Sequence, residues 1–208
     1  MILISKNQEP NSMNTYRLKK GSTYANMPSQ VKSDLKKSLL MEQNSLCAYC
    51  MSTITFESMK VEHYIPQSID PGKELEYGNL LGVCKGNEGK SSDRQTCDTK
   101  KGNTMITINP LNDIHILSLS YEPSTGQILS TNFQKDLDDI LNLNDNNGFI
   151  KSNRLITLQR FKCDLGRKFK QKTLTKEQVK KLHTQYLSSC NPYKGIILWY
   201  LNKKLSRI

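Results

Sequence analysis

Four cysteines, Cys47, Cys50, Cys84 and Cys97, bracket the segment Val61-Glu62-His63-Tyr64-Ile65-Pro66. Zinc favours four thiolate or imidazole ligands in a tetrahedron, commonly taken as two pairs from separate knuckles. Cys47-Ala48-Tyr49-Cys50 has the form of a first pair. The second is unusual, because twelve residues separate Cys84 from Cys97 where two are common. Gly86, Gly89 and a cluster of Ser, Asp and Asn make a looped-out insertion there, so the expectation is a structural zinc site on all four cysteines. The alternatives are a redox pair at Cys47 and Cys50, or four ordinary buried thiols. Cys163 and Cys190 are expected to be inert core residues.

Charge narrows the partners. The chain of 208 residues has a net charge of +11, unevenly spread. Residues 1–104 hold 14 Lys and Arg against 11 Asp and Glu, residues 105–150 hold 1 against 6, and residues 151–208 hold 15 against 2. A basic C-terminal quarter can neutralise phosphates without reading any base, with Lys168, Lys170 and Lys172 as candidate nucleic-acid contacts. The alternative is a solvated helical face. No run approaches the roughly 18 apolar residues of a membrane span, and Met1 to Lys6 has no leader character, so a cytoplasmic protein with no membrane partner is expected. In such a reducing compartment the cysteines read better as metal ligands than as disulfides.

Hydrolysis of a phosphodiester needs a water made nucleophilic and a cation beside the scissile phosphate. Imidazole suits the first task because it is largely neutral near pH 7. Carboxylates suit the second, since Mg²⁺ and Mn²⁺ take hard oxygen ligands. Glu62 and His63 supply one of each at the end of a predicted strand, and Asp98, beside Cys97, supplies a second carboxylate. His115 and His183 are read as structural.

The order Cys-x-x-Cys, acid-His-x-x-Pro, Asn-Leu-x-x-x-Cys and Cys-x-x-x-Lys-Gly resembles the HNH endonucleases of the ββα-metal type. Ile4-Ser5-Lys6 to Glu9-Pro10, Leu46 to Met51, Glu62 to Ser68 and Cys97 to Gly102 are similar to the PtuB nucleases of Septu and retron anti-phage systems. The resemblance implies His63 as general base, Asn79 as the residue that orients its loop, and Glu62 and Asp98 as ligands of a catalytic Mg²⁺ or Mn²⁺. It makes Lys100 and Lys101 candidate phosphate contacts, with a solvated turn as the alternative. It also implies an ABC/SMC-like ATPase partner of the PtuA type and, for retron-associated members, a reverse transcriptase with its DNA–RNA product.

The expected fold class is α+β: a zinc-stabilised ββα-metal core preceded by a helix and followed by a largely helical basic extension. An arm over 1–27, a core over 28–110 and an extension over 111–208 are the expected divisions. Within them the patterns predict a helix through Val31, Leu35 and Leu39, a hairpin over 52–65, and a loop over 84–97. A second hairpin is predicted about 122–126, its first strand carrying Ile114 to Leu119, with helices over 133–143, 155–172, 175–189 and 193–205. The rival functional reading is a zinc-stabilised nucleic-acid-binding module that does not cleave. The set Glu62, His63, Asn79 and Asp98 argues against it, since a pure binder has no need of those residues.

Overall fold

Val31, Leu35 and Leu39 recur at helical spacing, and they form the buried stripe of α2 (Ser29–Glu42). A computed structural model describes residues 1–145, 148–170 and 173–208, which form a mixed helix and strand arrangement. A shorter helix, α1 (Asn11–Arg17), precedes α2, and each begins directly after a proline, where a missing N–H costs nothing.

The segment 1–27 is packed rather than free as an arm. Met1, Ile4, Met13, Tyr16 and Met27 are all buried. The Ile4 amide donates to the Pro110 carbonyl at 2.9 Å, and the Lys6 ammonium donates to the Leu80 carbonyl at 2.9 Å while lying over the Tyr77 ring. These five dock although Leu3 and Leu18 stay exposed, and the polar residues between them hid that pattern.

Strand β1 (Lys60–His63) pairs antiparallel with β2 (Leu80–Val83), setting Glu62 opposite Leu81 and His63 opposite Leu80. The predicted hairpin over 52–65 is therefore corrected: Thr53 only bridges Leu46, and the partner of β1 lies beyond a long loop. The fully buried run of β2 carries no alternation that could announce the pairing. The chain then loops from Cys84 to helix α3 (Cys97–Lys101).

Residues 113–117 form helix α4 (Asp113–Leu117) instead of the predicted strand. Asn112 caps it by accepting the His115 N–H at 3.2 Å, a local signal stronger than the apolar alternation. His115 in turn accepts the Asn109 N–H at 3.1 Å. The second hairpin forms about the predicted turn with short strands, β3 (Ser120–Tyr121) and β4 (Ile128–Leu129). Of the predicted helix over 133–143, the part Asp136–Ile140 winds as a π-turn. Asp136 lies buried there and accepts the N–H groups of Thr107 (2.6 Å) and Ile108 (2.8 Å).

Three helices complete the chain: α5 (Phe149–Phe169), α6 (Lys176–Leu187) with a Thr175–Gln178 capping box, and α7 (Lys194–Leu205). Phe161 of α5 packs edge-on against Tyr186 of α6 and Tyr200 of α7, with centroids 5.1 and 6.0 Å apart. Two bases of this region are structural: Arg154 is buried against the Leu143 carbonyl, and the Lys194 ammonium donates to the carbonyls of Leu187 (2.8 Å) and Ser189 (2.6 Å). Cys163 and Cys190 are exposed, which corrects their expected place in the core. No helix among the described residues is long and apolar enough to cross a membrane.

Candidate active site beside a four-cysteine cluster

The knuckle after α2 carries Cys47 and Cys50, the end of β2 delivers Cys84, and α3 begins at Cys97. The four sulfurs lie within 4.8 Å of one another, with Cys47–Cys97 at 3.9 Å and Cys50–Cys84 at 3.8 Å. All four thiols are free. A tetrahedron with zinc–sulfur bonds of about 2.3 Å has edges of about 3.8 Å, so both the spacing and the donor set fit zinc. Burial pushes the Cys47 thiol up, and neighbouring thiols, Cys47 first, push Cys97 up. Cys84 is lowered, chiefly by its hydrogen bonds to Cys47, Cys50 and Cys97. Such a cluster gives up its protons together when a cation neutralises it.

The long spacing between Cys84 and Cys97 is closed at a neck. The Thr96 N–H donates to the Gly86 carbonyl at 2.9 Å, and a Cβ on Gly86, whose φ is +53°, would sit 2.0 Å from the Thr96 carbonyl oxygen. Gly86→Ala is therefore expected to cost at least about 2 kcal/mol and to weaken zinc retention. Melting curves with zinc content alongside check this, and values equal to wild type refute the neck.

Next to the cluster, a cleft of about 290 Å³ is lined by Lys60, Glu62, His63, Gln67 and Asp98 among others. A larger apolar cavity of about 580 Å³, between the N-terminal residues, α4, α6 and α7, shares none of these residues. The cleft is the better candidate because the titratable groups converge there. Glu62 is buried on β1, and burial first, then the adjacent Asp98, raises its carboxyl to about 8. Burial acts to raise Asp98 too, but hydrogen bonds with Glu62 and Lys60 outweigh it and hold Asp98 below the usual carboxylate range. Lys60 and Asp98 are 3.0 Å apart. Two crowded carboxyls sharing a proton are a favourable place for a divalent cation, so the donors at this position fit Mg²⁺ or Mn²⁺.

His63 sits at the end of β1, half-buried, with its Nε2 3.0 Å from the Glu74 carbonyl and its ring edge-on to Tyr24. A carbonyl only accepts, so Nε2 carries the proton and Nδ1 keeps its lone pair. The Gln67 amide nitrogen also lies 3.2 Å from Nε2. Burial lowers the His63 pKa, which favours the neutral ring. Asn79 stands directly before β2 and grips the intervening loop: its Oδ1 accepts the Ile65 N–H (2.7 Å), and its Nδ2 donates to the carbonyls of Ile65 (3.0 Å) and Lys73 (3.1 Å).

The phosphate-contact expectation fails at Lys101. Its side chain is fully buried, 2.7 Å from Glu62 Oε1, so it faces inward. Removing either partner alone leaves a buried charge, at a cost of about 3–5 kcal/mol. Lys100 stays near the surface and donates to the Ser92 carbonyl at 2.8 Å. Lys168 and Lys170 are exposed at the end of α5, and Lys172 lies outside the described residues. Sequence reasoning missed Tyr49, whose hydroxyl donates to Glu62 Oε1 at 2.9 Å, and Lys60 at the cleft. The place of Tyr49 between two cysteines of the cluster was the available signal.

The chain is 36% identical over 92 residues to the Septu protein PtuB of Bacillus thuringiensis, covering 42% of this chain and 34% of that relative. It is 29% identical over 119 residues to a Vibrio cholerae serotype O1 biovar El Tor protein of retron Vc95 named as a putative HNH endonuclease, covering 53% of this chain and 57% of that one. The chain is similar to HNH proteins of the PtuB type. It spans less than two thirds of the length of either relative. No protein-family model matches it.

Proposed function

We propose that this chain is a metal-dependent HNH endonuclease that hydrolyses nucleic-acid phosphodiester bonds, built on a zinc-stabilised ββα-metal core of β1, β2 and α3. The observation that carries this reading is the convergence of Glu62, His63 and Asp98 on one cleft beside the cysteine cluster. Glu62 and Asp98 would hold Mg²⁺ or Mn²⁺, which when bound supplies charge stabilisation at the scissile phosphate. His63, with Nε2 tied to the Glu74 carbonyl, takes a proton from water at Nδ1. Asn79 keeps the loop carrying that carbonyl in place. Lys60, at the cleft, offers its ammonium to a phosphate oxygen.

Similarity to a Septu PtuB and to a retron protein supports a role in anti-phage defence with an ABC/SMC-like ATPase, and with a reverse transcriptase and its DNA–RNA product in a retron setting. The test is incubation with duplex DNA, single-stranded DNA and RNA in Mg²⁺ or Mn²⁺, with and without a PtuA-type ATPase. Cleavage that needs the divalent ion supports the reading. Binding without cleavage under every condition returns the chain to a nucleic-acid-binding module.

Lys168 and Lys170 are proposed phosphate contacts outside the cleft. Changing both to Glu is expected to weaken binding about equally for unrelated sequences and to reduce the slope of log affinity against log salt by about 1 for each phosphate no longer neutralised. An unchanged slope removes α5 from the interface.

A further inference from the structure

Glu62 has two carboxylate oxygens, and one of them, Oε1, is held from two sides. Oε1 accepts the Tyr49 hydroxyl at 2.9 Å and the Lys101 ammonium at 2.7 Å, and both side chains are fully buried. Tyr49 stands between cysteines 47 and 50 of the first knuckle. Lys101 stands one turn after Cys97 on α3, and its ammonium also reaches the His63 carbonyl at 3.3 Å. The two halves of the cysteine cluster therefore each send one side chain to the same oxygen atom. A glutamate arm rotates about three bonds, and holding Oε1 from two directions removes most of that freedom.

We propose that Tyr49 and Lys101 are positioning residues: they hold Glu62 Oε1 so that Oε2 alone is presented, beside Asp98, as a single-oxygen ligand to a hard divalent cation. This rests on reading Glu62 and Asp98 as the cation site. Partners hydrogen-bonded to a ligand orient it, and their mutation typically costs about 10- to 100-fold in metal affinity or activity. Tyr49 makes the cation site depend on the cysteine cluster, because the phenol is placed by the ligands on either side of it. A phenol buried only for packing keeps that packing when its hydroxyl is removed, so the two roles separate cleanly in Tyr49→Phe.

The experiment measures Mn²⁺ affinity directly by electron paramagnetic resonance, with zinc content and melting temperature for each protein. Wild type and Glu62→Gln first test the underlying reading: wild type binds Mn²⁺ and Glu62→Gln loses that binding. If wild type binds none, or Glu62→Gln binds equally, the cation reading fails and the positioning role falls with it. With that control met, Tyr49→Phe is expected to retain its zinc and bind Mn²⁺ about 10- to 100-fold more weakly, with cleavage recovering as Mn²⁺ is raised. Mn²⁺ affinity equal to wild type overturns the positioning role while leaving the cation site standing. Loss of zinc from Tyr49→Phe also overturns it, because the hydroxyl would then serve the knuckle and not Glu62.

Discussion

Cys84→Ser will lose zinc and, with it, the folded state of residues 46–101. Structural zinc contributes about 10–16 kcal/mol in apparent binding free energy when ligation and folding are coupled. A whole domain is stable by only about 5–15 kcal/mol, so a cluster of this kind outweighs the margin. The local core offers little to replace it, since β1 and β2 are four residues each and α3 is five. Val179, Leu182, Ile196 and Leu201 of α6 and α7 are buried in the core these helices share with the rest of the chain, and the amides of this longer helix pair should stay protected longest. Elemental analysis, circular dichroism with and without a chelator, and amide exchange provide the readouts. Soluble, fully folded Cys84→Ser protein free of zinc would remove the structural zinc from the account.

His63→Ala gives the second large effect: cleavage falls by about 10² to 10⁴ while folding and nucleic-acid binding stay near wild type. The ring is held between the Glu74 carbonyl and Tyr24, so its removal takes away those two contacts and no part of the cysteine cluster. A cleavage rate within about threefold of wild type would exclude the imidazole as the base, since general-base catalysis contributes far more than that. Binding must be measured in parallel by fluorescence anisotropy on the same substrate, so that a defect in chemistry is separated from a defect in association.

Local and long-range information divide the legible from the illegible here. The helix through Val31, Leu35 and Leu39 and the Thr175 start of α6 were readable because periodicity and caps act within a few residues. The pairing of β1 with β2 was not, because it is fixed by burial of Leu80, Leu81 and Val83 against distant helices. The same division holds at the site. Glu62, His63 and Asp98 stood out by residue type, and the structure brings them to one cleft. The inward turn of Lys101 did not, because a lysine on a five-residue helix shows no preference until its carboxylate partner is placed. Arg154 and Lys194 add to the basic count of the C-terminal region although both are buried, so charge counting overstates its free surface.

The Gly86–Thr96 neck separates two requirements that a knuckle normally joins. Ligand geometry is set below the neck, where Cys84 and Cys97 converge, while the residues above it carry no share of the sulfur tetrahedron. Residues above the neck are held instead by Lys100 on the Ser92 carbonyl and Asn142 on the carbonyls of Asp93 and Gln95, so a change there meets those anchors before it meets the metal geometry. A search pattern that insists on two residues between the last pair of cysteines would pass this chain by. One that asks for a glycine two residues after the third cysteine and a carboxylate directly after the fourth would find it.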